Sequence, residues 1–170
     1  LLRFILALAC FATPGAAEGW KVMYLADSGG SRPMQVGPND GGTPFAYVEN
    51  EKGERLFLDC RWSGGAASDY DWTLKLYPGQ PPNFLPKAAQ DNQFLVTFDG
   101  VDTTYGIADF TFVQEAFWGP TTDIMVDDIR TRSLLRLEMP AAFVEGGTTY
   151  RTEFTLSGSK AAINKACPPL

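Results

Sequence analysis

The chain has 170 residues, with 14 Lys and Arg against 20 Asp and Glu, three cysteines and no histidine. A hydrophobic share of 45% with 20% charge fits one globular domain with its own core, and a net charge of −6 argues against a nucleic-acid partner, whose phosphates call for a basic surface. Without histidine there is no imidazole base, no zinc–imidazole site and no His-containing triad.

Arg3 precedes an apolar run to Ala12, and Thr13-Pro14-Gly15-Ala16-Ala17 leads out of it through small residues to the polar Glu18. This is the pattern of a secretory signal peptide, with cleavage expected after Ala17. The run is shorter than the roughly 20 apolar residues that span a bilayer. The expected organisation is therefore a signal peptide over 1–17 and a single β-rich globular domain over 18–170. The mature chain is expected in the periplasm or secreted, with no transmembrane segment.

Downstream, Gly and Pro fall at short intervals and separate runs that alternate at period two. Ala26-Asp27-Ser28-Gly29-Gly30 is similar to the nucleophile loop of trypsin-like proteases. With no histidine, it reads as a polar turn after a first strand. Asn50-Glu51-Lys52-Gly53 reads as a hairpin turn into a strand with Leu56, Leu58, Cys60 and Trp62 on one face. Trp72, Leu74 and Leu76 then alternate with Thr73, Lys75 and Tyr77, and Phe84–Gln90 suggests a single helical turn. Phe94, Val96 and Phe98 continue the pattern, as do Phe110 and Phe112. Apolar-in, polar-out strands broken by turns predict an antiparallel sheet with one wet face.

Phe117-Trp118-Gly119-Pro120 reads as a strand ending in a loop. Large aromatics in loops serve as contact anchors, which makes Trp118 and Phe117 the candidate binding residues. Trp118 has two expected fates: packed beneath the following helix against Met125 or Ile129, or placed on the rim as an anchor. The first is favoured, because a large aromatic is costly to leave in water. That helix is predicted over Thr121–Arg130, after Pro120, with a Thr cap, early acids and a late Arg; its β-branched residues leave a strand as the alternative.

Leu135, Leu137 and Met139, then Tyr150, Thr152, Phe154 and Leu156, give two more strands. Ser157-Gly158-Ser159 opens a closing helix as a serine cap, and Pro168-Pro169 end it after Cys167. Ser157 and Lys160 also match the S-x-x-K of β-lactamases, but its companion motifs are absent and the cap accounts for the serines. Once Cys10 leaves with the leader, Cys60 and Cys167 remain as an even pair in an oxidising compartment, and a disulfide between them is expected. The predicted fold is mainly β: an antiparallel, sandwich-like α+β domain with one or two short helices, the C-terminal one pinned by that disulfide.

From Asp123 to Cys167 the order is helix, strand, Gly turn, a strand running into Leu156-Ser157-Gly158, and a helix with Ala161-Ala162-Ile163. This segment resembles the close of small alphaproteobacterial exported proteins of the invasion-associated locus B type. The resemblance implies a periplasmic or surface β-rich protein with no established catalysis.

The remaining acids offer the last route to chemistry. Asp69-Tyr70-Asp71, Glu115 and Glu138 sit among aromatics, and a glycosidase needs two carboxyls roughly 5–9 Å apart in a cleft. Asp99-Gly100-Val101-Asp102 and Asp123 with Asp127-Asp128 are calcium-like in composition, yet neither matches an EF-hand loop; they read as a turn and a helix N-terminal half. No catalytic residue, metal or cofactor is expected. The leading reading is an exported, non-enzymatic binding protein whose partner is an envelope or host protein. A carbohydrate-active role, by sugar binding through loop aromatics or by paired-carboxylate hydrolysis, is the alternative. A purely structural role in the envelope is the third.

Overall fold

The computed structural model describes residues 19–26, 34–37, 39, 42–62, 70–78, 92–102, 108–113 and 116–168. The expected leader over 1–17, the turn at Asp27–Gly30, the helical turn at Phe84–Gln90, and the acids Asp69 and Glu115 lie outside them.

Among the described residues there are eleven strands and two helices. The strands β1 (Lys21–Ala26), β2 (Met34–Val36), β3 (Thr43–Glu49), β4 (Arg55–Trp62) and β5 (Tyr70–Tyr77) come first. They are followed by β6 (Asn92–Phe98), β7 (Val101–Asp102), β8 (Ala108–Val113) and β9 (Ala116–Thr121). Then come α1 (Asp123–Thr131), β10 (Leu134–Met139), a 3-10 turn at Ala141–Phe143, β11 (Tyr150–Thr155) and α2 (Ser159–Ala166).

Each strand pairing is antiparallel. One sheet runs β2-β1-β3-β4-β5-β9-β8; the other runs β6-β10-β11, with β7 also on β6. The two are joined by the short β6–β8 pairing, where Asn92, Gln93 and Phe94 meet Phe110, Asp109 and Ala108. The far strand β11 returns to the β3–β4 turn, so the sheets face one another and enclose the core. This is the sandwich-like, mainly β α+β fold that the alternation predicts.

The inner positions follow the sequence pattern closely. Leu56, Leu58, Trp72, Leu74 and Leu76 from one sheet meet Phe94, Val96, Phe98, Leu135, Leu137 and Phe154 from the other, all buried. Helix α1 forms because Thr122 caps it, its Oγ1 accepting from Met125 N at 3.3 Å, and because Met125, Val126 and Ile129 share a core-facing stripe. Trp72 Nε1 donates to Asp123 Oδ1 at 2.7 Å and fastens the first turn of α1 to β5.

The closing helix differs from expectation at its start. No serine caps α2: the N-cap is Gly158, in the left-handed region at φ 78°, and no side chain bonds the first turn. Ser159 is buried and its Oγ donates instead to the Ile129 carbonyl at 2.6 Å, tying α2 to the end of α1. A hydroxyl carried into the core must find an acceptor there, and the unpaired carbonyls at a helix end supply one. At the other end Cys167 is joined to Cys60 of β4, with the Cα atoms 6.1 Å apart across 107 positions. Tyr70 Oη adds a hydrogen bond to the Pro168 carbonyl at 2.6 Å. No helix among the described residues is long and apolar enough to cross a membrane.

Candidate functional site

Strand alternation sends Trp72, Leu74 and Leu76 into the core, and so turns Lys75 and Tyr77 of β5 to the opposite, outer face. Neighbouring strands add to that face in register: Phe57 of β4 and Trp118 of β9 flank Lys75, and Tyr47 of β3 lies beyond Phe57. The result is an aromatic row across four strands. Tyr47 stacks on Phe57 at 5.4 Å between centroids, and Phe57 meets Tyr77 edge-on at 5.3 Å.

Lys75 sits within this aromatic setting at 8% exposure, with its Nζ 2.8 Å from Asp59 Oδ2. The rings of Trp118 and Phe45 stand 4.5 Å and 4.9 Å from the ammonium. A buried lysine needs a countercharge, and the negative faces of aromatic rings add to what Asp59 provides. Trp118 itself is half-buried, and its Nε1 is shielded from solvent with no hydrogen-bond partner among the described residues.

The two candidate binding residues therefore part company. Phe117 is fully buried in the core, edge-on to Phe94 at 5.1 Å, in one apolar cluster with Met125, Val126 and Ile129. Trp118 takes the outer face instead of the favoured place beneath α1. The reason is that Phe117-Trp118-Gly119-Pro120 is not a loop: all four belong to β9, and successive residues of a strand face opposite ways. Pro120 is tolerated because, among the described residues, β8 pairs with Ala116–Trp118 and not with the end of β9, which is bonded there on its β5 side.

A second buried polar group lies on the core side, where the β3–β4 turn meets β11. Glu54, 4% exposed, accepts from Tyr150 Oη at 2.7 Å through Oε1. Its Oε2 accepts from Asn50 Nδ2 at 2.6 Å and from the Thr152 hydroxyl. Asn50 in turn accepts from the backbone N–H of Lys52 and Glu54, each at 3.0 Å, which shapes the expected hairpin turn. Burial, the hydrogen bond to Glu54 and the charge of that carboxyl together hold the Tyr150 phenol protonated far above the usual tyrosine range.

Several other acids also have structural partners. Asp99, at φ 53° in the β6–β7 turn, accepts from the backbone N–H of Ser133 and Leu134 at 2.9 Å each. Asp127 and Asp128 pair with Arg130 and Arg132 at 3.1 Å each, and Glu138 lies 2.8 Å from Arg151. Ser157 and Lys160 of the S-x-x-K string are both exposed. Among the described residues no group of three or more Cys, Asp and Glu is placed to hold a metal ion. Among the described residues the two most deeply buried carboxyls, Glu54 and Asp59, sit on opposite faces of the sheet and cannot converge on one bond.

Sequence reasoning missed Lys75, Asp59 and Phe45, and the cluster around Glu54. A signal was available for the first pair: Asp59 and Lys75 hold outward positions of successive strands, with aromatic neighbours at matching parity. For Glu54 there was none, since Tyr150 and Thr152, which meet it in the core, lie 96 and 98 positions away. The chain matches no protein-family model, no curated protein and no solved structure. What the geometry defines is a class, a disulfide-stapled β-sandwich-like domain bearing an aromatic outer face.

Proposed function

We propose that this chain is an exported binding protein of the periplasm or cell surface, and that it contacts a protein partner through the outer face around Trp118. The observation that carries this reading is Trp118 itself: a half-buried indole held over Lys75, on a face that also presents Phe45, Tyr47 and Tyr77 half-buried. Rigid aromatics beside a fixed charge are what interface anchors are made of. The Cys60–Cys167 bridge and the resemblance of the closing segment to exported proteins of the invasion-associated locus B type support the compartment.

The test is Trp118→Ala, read by cross-linked capture of envelope proteins and by thermal melting. Losing the cation–π contact should cost about 1 kcal/mol of stability, while partner binding should fall by about 2 kcal/mol or more. A collapsed melting midpoint with unchanged binding per folded molecule would assign Trp118 to stability alone. The same ring faces also suit a sugar, and soluble envelope glycans that outcompete the captured protein would favour that second reading.

A further inference from the structure

Asp59 and Lys75 bring an acyl group and an amine together inside the sheet. Asp59 pairs with Thr73 and Lys75 with Phe57, so the two lie diagonally across neighbouring strands and share one face. Both side chains are nine-tenths buried or more, and Nζ stands 2.8 Å from Oδ2, with the carboxyl carbon one C–O bond behind that oxygen. The rings of Trp118 and Phe45 wall the nitrogen at 4.5 Å and 4.9 Å. The backbones cannot drift apart, because β4 and β5 are paired over eight residues and are flanked by β3 and β9. Cys60, the next residue of β4, is already joined covalently to Cys167.

We propose that Asp59 and Lys75 are a self-modification site, and that after folding they condense into an isopeptide bond tying β4 to β5. A proton first passes along the hydrogen bond from ammonium to carboxylate, which leaves a neutral amine facing a neutral acid. The nitrogen lone pair adds to Cγ, and the C–OH bond then breaks. The hydroxyl departs as water with a second proton from the nitrogen. The Nζ–Cγ bond thus replaces one Cγ–O bond; of the three ammonium protons, one stays on the amide and two leave with the water. Nothing is oxidised or reduced, and no co-reactant is consumed. In bulk water the hydration of both ions opposes such a condensation. The buried pair has already given up that hydration, and the amide carries no charge to be desolvated. Fixed contact between the two groups supplies the proximity that a collision in solution would have to find. The new bond spans 16 positions and, unlike the Cys60–Cys167 bridge, resists thiols.

The experiment is intact-mass spectrometry of the full chain, purified folded, incubated below its melting point, then reduced and denatured. It should weigh one water less than its sequence requires. A tryptic digest should leave the chain uncut after Lys75 and should join Leu56–Arg61 to the peptide that begins at Trp62. Chain made by cell-free synthesis and held in urea should keep its full mass, and should lose the water only after refolding, at a rate independent of protein concentration. Lys75→Arg keeps a cation beside Asp59 but offers a guanidinium that stays protonated, and should keep its full mass when folded. Should that variant fail to fold, the parent's digest decides alone, because the joined peptide names both residues. A folded parent that keeps its full mass, a water loss that maps to other residues, or the same loss in folded Lys75→Arg would overturn the bond.

Discussion

Glu54 and Asp59 are five residues apart on one side of the β3–β4 hairpin, are equally buried, and are accommodated by opposite means. Asp59 has a lysine, and the lysine has aromatic walls. Among the described residues Glu54 has no cation on it, only a phenol, a threonine hydroxyl and an asparagine amide. The first solution fixes two strands of one sheet against each other. The second fixes the edge of one sheet to the turn of the other, and so it is the one on which closure of the sandwich depends. Countercharge serves where strands are already neighbours; neutral donors serve where two distant pieces of chain must find a single register.

The largest effect should come from removing the lysine. Lys75→Met strips the buried Asp59 carboxylate of the ammonium 2.8 Å away, and should cost about 3–5 kcal/mol in urea unfolding. Replacing both, Asp59→Leu with Lys75→Met, should restore most of that loss, because a well-packed apolar pair escapes the desolvation penalty. If the double variant is no better than the single, the pair does more than neutralise itself.

Tyr150→Phe should cost less, about 1.5–3 kcal/mol, the worth of one hydrogen bond to a charged group. It should also change the alkaline limb. The folded state holds the Tyr150 phenol above its ordinary value of 10.0, so the stability this group contributes is complete below pH 10 and is lost as pH climbs from there. The parent chain should weaken progressively above pH 10, and the Phe variant should be flatter over the same range, measured by denaturant midpoints.

The smallest effect sharpens the contrast from outside. Arg151 is more than half exposed and pairs with Glu138 at 2.8 Å. Arg151→Ala should cost at most about 1 kcal/mol and should lose even that in high salt, unlike either buried site.

Much of this fold was legible in the sequence because it is written at short range. Leu135-Leu137-Met139 and Trp72-Leu74-Leu76 state their faces by parity alone, and the Thr122 cap with Asp123 after it announces α1. The disulfide was legible because the expected loss of Cys10 with a leader left a single pairing. What failed did so for identifiable reasons. Gly119-Pro120 has the chemistry of a chain break, yet pairing with β5 overrides it and keeps Trp118 in a strand. Ser159 looks like a cap in its local context, while its hydroxyl answers to Ile129, thirty positions earlier. Glu54 follows a turn glycine, where an acid is ordinarily solvated. Its burial depends on Tyr150 and Thr152, which no local pattern connects to it.

The asparagine and lysine of that turn have one more consequence. Strand β11 pairs with β10 on one side and presents its other edge, where the carbonyls of Arg151 and Glu153 would be acceptors for an incoming strand. Lys52 Nζ and Asn50 Nδ2 donate to those two oxygens at 3.2 Å each. An exposed row of backbone groups is what lets folded chains zip together edge to edge, and here two of its acceptors are already taken by side chains of the same molecule. The turn that closes the sandwich thus also blunts its edge, so crowded copies of the chain find no ready template there for sheet extension or fibre growth.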